Sequence, residues 1–213
     1  MVSAGIDGPA PSLSTLINYL AVDKLKRMET STVREQLLEQ ALTLMMTHGY
    51  NAFSYRDLSA LVGVKTSSIH YYFPKKEDLA LEAVNVYSTE VMASIRGIDE
   101  ALPADKKLDR YAKLFGRVMG DGNQVCLCGM LAADIASLPE DVRHAVQAFY
   151  KTNEAWLTKV LEGGQAEGTL RFNGKAESVA RTLFASFQGS VMASRLFHSK
   201  ARLEEVVGTV KAA

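Results

Sequence analysis

The sequence predicts an all-α protein in which an N-terminal three-helix helix-turn-helix domain is followed by a larger helical domain. Apolar residues recur at the spacing of an amphipathic helix through most of the 213 residues, and no alternating strand pattern occurs. Glycine or proline marks most junctions between these periodic segments. The 47% hydrophobic content, 23% charged content and zero formal net charge are typical of a globular protein.

The first elements follow from composition and helix-stop signals. Residues 1–12 are rich in Gly, Pro, Ser and Ala and are expected to form a flexible leader, and apolar spacing predicts a short amphipathic helix over residues 13–25. We therefore assign residues 1–29 to an N-terminal extension. Thr32 to His48 is predicted to form the first helix of the next domain, and Gly49 is its stop.

A two-helix motif follows in residues 53–79, which read FSYRDLSALVGVKTSSIHYYFPKKEDL. Ser54 and Asp57 have the spacing of a capping box, which starts a helix by satisfying free backbone N–H groups. Leu58, Leu61 and Val62 give this helix one predicted apolar face. Gly63 then supplies the positive φ that a tight helix C-terminus requires.

The second helix of the motif has the composition of a DNA-recognition helix. Val64 and Ile69 are its predicted apolar anchors, and its other positions carry polar, aromatic or small side chains. From Leu58 to Lys76 there are three lysines and no acidic residue, so this face is locally cationic and suited to phosphate. The alternative is an ordinary three-helix packing unit whose polar face is only solvated.

The run VKTSSIHYYFPKKEDL, residues 64–79, resembles the signature of the TetR-type transcriptional repressors. The resemblance implies a ligand-responsive repressor, a helical homodimer that binds a palindromic double-stranded DNA operator and is released by a small-molecule inducer. It divides the chain into the extension, a helix-turn-helix DNA-binding domain at 30–78 and a ligand-binding and dimerisation domain at 79–213. It implies DNA contacts by Ser54, Arg56, Lys65, Thr66, Ser67, His70, Tyr71, Tyr72 and Lys76.

Three residues depart from the family pattern. Lys65 and Lys75 stand where helix-capping residues are usual, and His70 stands where tyrosine is usual. These departures leave the operator sequence open without affecting the motif.

The larger domain is predicted to contain a long helix from Leu79 to about Ile98, followed by helices near 104–119, 125–137, 140–163, 176–198 and 201–211. Such a bundle can enclose a ligand cavity between its helices. Two walls are expected, one including Leu114 and Val118 and the other including Leu157, although plain core packing is the alternative for each residue. The candidate ligand-binding residues are Tyr111, Phe115, Met119, Cys126, Cys128, Trp156, Phe184, Phe187 and Gln188.

Ala185, Gly189 and Ala193 form a stripe of small residues, four apart, on the predicted helix 176–198. Glycine costs about 1 kcal/mol relative to alanine inside a helix, so a packing reason is expected for Gly189. We predict a dimer interface along this stripe, and the alternative is tight packing within one chain.

The segment Cys126-Leu127-Cys128-Gly129, with the following LAADIASLPEDVR, resembles a subgroup of the family that includes electrophile-responsive repressors. The preceding turn places Cys126 near a predicted helix N-terminus, where the dipole favours the thiolate. We expect Cys126 to be the more available thiol and a candidate for adduct formation or oxidation. The alternative is that both cysteines are small buried hydrophobic residues.

Other function classes lack support in the sequence. No phosphate loop, G-x-S-x-G motif or dinucleotide fingerprint occurs, so we expect neither an enzyme nor a cofactor. The four histidines have no i, i+4 pairing with one another, so no metal site is expected. The apolar segment 13–22 is too short to span a membrane and lacks a signal peptide's basic start, and the two cysteines do not suggest a secreted disulfide framework. A cytoplasmic address without a membrane partner is predicted, and the competing function is a helical adaptor that binds only protein.

Overall fold

The computed structural model describes residues 31–118, 123–199 and 201–211. The predicted leader and the short helix at 13–25 lie outside the described residues, as does Met119. In the described part of the chain, no helix is both long and apolar enough to cross a membrane. The described α-helices are α1 (Val33–His48), α2 (Tyr55–Val62), α3 (Thr66–Tyr72), α4 (Lys76–Arg96), α5 (Ala104–Val118), α6 (Leu127–Ala133), α7 (Glu140–Glu167), α8 (Ala176–Phe197) and α9 (Ala201–Gly208).

The all-α fold class is confirmed, and the first helices begin and end for the predicted local reasons. Thr32 is the N-cap of α1, and Ser54 forms the predicted capping box with Asp57 at the start of α2. Gly63 ends α2 with a φ of 75°, in the left-handed region that glycine adopts without strain. Lys65, in contrast, makes no side-chain cap at the start of α3.

The predicted apolar face of α2 is only partly correct. Leu58 is fully buried and Val62 is half-buried, but 56% of Leu61 is exposed. A helix of two turns presents only one narrow edge to its neighbours, here the edge with residues 58 and 62, which are four apart. Leu61 lies beyond that edge.

Several helices of the larger domain differ from prediction at their ends. α4 begins three residues earlier than predicted, at Lys76, and α7 continues past residue 163 until Gly168 ends it with a φ of 76°. The predicted helix at 125–137 breaks at Asp134 into α6 and a 3-10 turn, Ile135–Ser137. α9 ends at Gly208, three residues before the predicted end.

Helix packing places α1 and α4 between the two domains. α1 contacts α2 and α3 on one side and α4 and α6 on the other. α4 also packs along α7, which pairs extensively with α8, and α9 packs on α8 and α5. α1 is therefore in contact with helices of both domains.

Candidate functional site

The exposed face of α3 carries most of the side chains predicted to contact DNA. Ile69 is fully buried and Phe73 is nearly so, and these two residues anchor the helix on the domain. The side chains of Lys65, Thr66, Ser67 and His70 are all exposed on the outer face. Tyr71 is 80% exposed, with its ring edge-on to that of Tyr72 at a centroid distance of 5.0 Å. Hydrogen-bonding groups and an aromatic ring are thus presented to solvent on one short helix.

Tyr55 of α2 holds the end of α3 in place. Its hydroxyl donates to the carbonyl oxygen of Phe73 at 2.9 Å, and its ring lies edge-on to His70 at 4.9 Å. Burial raises the pKa of Tyr55, so the hydroxyl keeps its proton and remains a donor. Nδ1 of His70 is within hydrogen-bonding distance of Pro74 O, at 3.1 Å, which fixes the ring orientation.

At the start of α2, Ser54 is exposed but engaged in the helix cap. The Asp57 carboxylate accepts from Ser54 N at 2.8 Å and from Ser54 Oγ at 2.7 Å. Both hydrogen bonds lower the pKa of the Asp57 carboxyl, and the one from the Ser54 side chain has the larger effect. Arg56 is exposed on the first turn of the same helix.

Lys76 has a different environment from the exposed contact residues. It is half-buried, and its ammonium donates to Phe53 O while lying 4.1 Å from the Phe53 ring centroid and 4.8 Å from that of Tyr50. Burial lowers its pKa. The ammonium thus already has partners within the domain. The neighbouring exposed lysine is Lys75, which forms a 2.8 Å ion pair with Glu77.

A cavity of about 320 Å³ lies between the two domains. Four residues of the first predicted wall, all on α5, line this cavity: Tyr111, Leu114, Phe115 and Val118. The opposite wall was not predicted from sequence, because neither expected wall included a residue of α1 or α4. That wall is formed by Leu42 and Met46 of α1 and by Tyr87, Glu90, Val91, Ser94 and Ile95 of α4, and Gln124, Arg117, Cys126 and Phe149 complete the lining.

The residues of the second predicted wall lie away from this cavity. Trp156, Phe184, Phe187, Gln188 and Cys128 do not line this cavity, and neither does Leu157. Instead, the aromatic residues among them pack behind the α5 wall. Trp156 stacks on Tyr111 at 5.1 Å, Phe187 stacks on Phe115 at 5.1 Å, and Phe184 meets Phe115 edge-on at 6.2 Å. These rings fill space and hold the lining residues in place.

The two cysteines have different surroundings although both are buried. Cys126 is only 2% exposed, occupies the N-cap position of α6 without a side-chain capping hydrogen bond, and lines the cavity, so its predicted place at a helix start is confirmed. Its Sγ accepts a hydrogen bond from Gln188 Nε2 at 3.3 Å, which gives that buried amide a side-chain partner. Cys128 is fully buried, and burial, with a smaller effect from Cys126, raises its pKa. Neither thiol is exposed at the outer surface of the protein, and Cys126 is the one of the two that lines the cavity.

The predicted small-residue stripe faces outward on α8. Ala185 and Gly189 are exposed and Ala193 is half-buried. A Cβ at Gly189 would meet no described atom within 4 Å, so packing within the described chain does not account for this glycine. Met192 and Leu196 continue the same outward face, and 73% of Leu196 is exposed. Among the described residues, no group of three or more His, Cys, Asp or Glu is placed to hold a metal.

Comparison with known proteins gives a consistent result over both domains. Residues 37–83 match the family model of bacterial regulatory proteins, tetR family, and residues 107–210 match that of the tetracyclin repressor-like C-terminal domain. A crystal structure of a TetR family transcriptional regulator from Agrobacterium tumefaciens is 32% identical, with a TM-score of 0.79 over 84% of this chain and 98% of that chain. The HTH-type transcriptional repressor DhaR of Mycobacterium sp. (strain GP1) is 22% identical over 86% of this chain and 92% of that protein. The HTH-type transcriptional repressor NemR of Escherichia coli (strain K12) is 26% identical over 84% of this chain and 92% of that protein.

Proposed function

The chain belongs to the TetR family of bacterial regulatory proteins, and from this membership we propose that it is a ligand-responsive repressor that binds a palindromic operator as a homodimer. The observation that carries the proposal is the outer face of α3, where Lys65, Thr66, Ser67, His70 and Tyr71 are exposed without an acidic neighbour on the helix. One short helix reads few base pairs. Two copies in successive major grooves, about 34–36 Å apart, would read a palindrome.

The DNA face is tested by replacing two exposed residues of α3 and its N-cap. Lys65→Ala and Tyr71→Ala should each weaken binding to a duplex selected from a random-sequence library. Lys65→Ala should also reduce the slope of log affinity against log salt concentration by about 1, which corresponds to the loss of one phosphate contact. Lys151→Ala, which removes an exposed lysine from α7, is the matched control. Titrations at several salt concentrations measure both effects. Wild-type affinity in both α3 variants, or failure of the protein to select any DNA, would favour the adaptor function instead.

The dimer proposal is supported by the outward face of α8. The exposed Ala185 and Gly189 allow close approach of another helix, and the exposed apolar side chains of Met192 and Leu196 extend the surface along the same helix. An exposed apolar stripe on a helix marks a surface that association would remove from water. A second copy related by a two-fold axis would present the same stripe.

We infer that the inducer occupies the cavity between α1, α4 and α5. Its lining is largely apolar, with Tyr87, Glu90, Ser94, Arg117 and Gln124 as polar groups. A small molecule with an apolar body and one or two polar groups fits this lining. Occupancy would release DNA if it favours a conformation with low operator affinity, which requires a difference in ligand affinity between the two conformations.

Cys126 gives this cavity a reactive group, and covalent sensing is the second function that a specific observation favours. An α,β-unsaturated carbonyl in the cavity would form a bond between Cys126 Sγ and its β-carbon, while the C=C π bond breaks and the thiol proton is transferred to the α-carbon. The test is operator release after treatment with such a carbonyl, compared between wild type and Cys126→Ser. Cys128→Ser is the matched control, because Cys128 is equally buried but does not line the cavity.

We expect Cys126→Ser to lose the response and Cys128→Ser to keep it. Equal release in wild type and the double variant would exclude covalent sensing and leave a reversibly bound inducer. Mass spectrometry of the treated protein identifies the modified cysteine directly.

A further inference from the structure

The C-terminal end of α1 is held by the larger domain through hydrogen bonds at four of six consecutive residues. We call this set of contacts the α1 joint. Met46 O accepts from Val125 N at 3.1 Å, Thr47 O accepts from Arg195 Nη2 at 2.8 Å, Tyr50 N donates to Asp134 Oδ2 at 2.8 Å, and Asn51 Nδ2 donates to Ser137 Oγ at 2.6 Å. The partners come from the segment before α6, the segment after α6 and the last turn of α8.

The geometry of the α1 joint is tight. The last carbonyls of a helix have no partner within it, so Met46 O and Thr47 O depend on groups from outside α1. Gly49 has a φ of 90°, and a Cβ there would lie 2.7 Å from Asp134 Oδ2, closer than real contacts allow. Only glycine lets the Asp134 carboxylate reach Tyr50 N.

The α1 joint is continuous with the cavity. Val125, which donates to Met46 O, lies between Gln124 and Cys126, and both of these neighbours line the cavity, as does Met46. A ligand or adduct that displaces the 124–126 segment must therefore either move the end of α1 or break the bond between Val125 and Met46. Movement of Val125 or Met46 is therefore coupled to movement of the cavity wall.

The α1 joint is also continuous with the DNA-binding face. The Tyr50 ring, next to the amide held by Asp134, lies 4.8 Å from the ammonium of Lys76, which also donates to Phe53 O. Lys76 is the first residue of α4, and α3 ends four residues earlier. Displacement of Tyr50 would thus alter the packing at the base of α3.

We propose that the α1 joint is the element through which cavity occupancy changes DNA affinity, with Asp134 and Arg195 as the positioning residues that keep it closed. The inference rests on the proposed function, because it needs both a DNA-bound state and an occupied cavity. Coupling between two sites is reciprocal, so DNA binding must in turn change the joint at the cavity wall. This reciprocity permits a test without knowledge of the inducer.

The test measures hydrogen exchange of the Val125 amide in the full-length protein, free and saturated with a duplex selected from a random-sequence library. In wild type we expect DNA to slow exchange by about fivefold or more, the low end of typical coupling between sites. In Asp134→Ala and in Arg195→Met, the ratio of the Val125 exchange rate without DNA to the rate with DNA should fall to less than about half of its wild-type value. Asp134→Asn, which keeps an acceptor oxygen for Tyr50 N, should retain it.

The matched controls lie outside the joint. Asp99→Ala removes a carboxylate that accepts from a backbone amide, Ala101 N at 2.9 Å, and Arg181→Met removes an arginine of α8 that pairs with Glu177. Both should keep the wild-type effect of DNA. The two joint variants lie on different elements, so one remains informative if the other fails to fold.

The proposal would be overturned if DNA slowed Val125 exchange in both joint variants as much as in wild type, or if DNA did not slow it in wild type. Either result would leave the proposed DNA binding intact. Failure to select any duplex would instead overturn the proposed function on which it rests.

Discussion

At the scale of single residues, Asn153 illustrates how a polar side chain supports the cavity from behind. It is fully buried on α7, accepts from the Tyr111 hydroxyl at 2.9 Å and donates to Phe149 O at 2.9 Å. Burial raises the pKa of Tyr111, so its hydroxyl stays protonated and donates at all physiological pH values. The pair therefore fixes the orientation of one ring in the cavity wall.

Asn153→Ala should lower the free energy of unfolding by about 1–3 kcal/mol, because the Tyr111 hydroxyl would be left buried without its acceptor. Urea denaturation measures the change. Thr152→Ala is the matched control, since the adjacent exposed hydroxyl also donates to the carbonyl four residues earlier, at 2.8 Å, and its loss should cost within about 0.5 kcal/mol. Combining Tyr111→Phe with Asn153→Leu should cost less than the sum of the single changes. Equal losses in Asn153→Ala and Thr152→Ala would contradict this role.

At the scale of elements, α2 depends on its capping box because a two-turn helix has few other bonds. Ser54→Ala should destabilise the protein by about 1 kcal/mol, the usual cost of losing a serine cap. Ser178→Ala, an exposed serine in the first turn of α8, is the control and should change stability by less than about 0.5 kcal/mol. Chemical denaturation at neutral pH compares the two. If Ser54→Ala lowered the free energy of unfolding no more than Ser178→Ala does, water would be replacing the hydrogen bonds of the capping box.

The carboxylate of the same capping box gives a pH-dependent prediction. The pKa of Asp57 in the folded protein is lowered below its ordinary value of 3.8 by its hydrogen bonds from Ser54. Its contribution to stability is therefore present above about pH 3.8 and is lost as the pH falls through the lowered folded value. Asp57→Asn should be less stable than wild type near neutral pH, and the difference should shrink in acid. A constant difference in urea midpoint between neutral pH and acid would contradict this assignment.

The same elements indicate how far sequence reasoning reaches. The capping box at Ser54 and the positive φ of Gly63 were predictable because both depend on local backbone groups. The exposure of Leu61 and the cavity lining by α4 were not, because periodicity identifies an apolar position without identifying what faces it. Likewise, Trp156 and Phe187 share the composition of a ligand site but stack on other rings. The inward ammonium of Lys76 depends on Phe53 and Tyr50, which become neighbours only in the folded domain.

At the scale of the whole molecule, the cavity lies between α1, α4 and α5, and the proposed dimer surface lies on the outward face of α8. Met46 of α1 and Tyr87 of α4 line the cavity, whereas the small-residue stripe of α8 faces away from the described core. α1 and α4 also contact each other and so connect the cavity to the DNA-binding helices. A repressor assembled in this way would hold its two recognition helices at a spacing set by the pairing of α8 with its copy.

Gly189→Leu tests that assembly, because a bulky side chain on the stripe would separate two closely packed copies of α8. A Cβ at this position meets no described atom within 4 Å, so the single chain should accept the substitution, and leucine should even favour the helix by somewhat less than about 1 kcal/mol over glycine. We therefore expect a folded monomer with weaker operator binding, since one recognition helix cannot span both half-sites. Gly116→Leu on α5 is the matched control, because a Cβ there also meets no described atom within 4 Å. Sedimentation equilibrium measures the assembly state of both variants, and a Gly189→Leu dimer as tight as the control would place the interface on another surface.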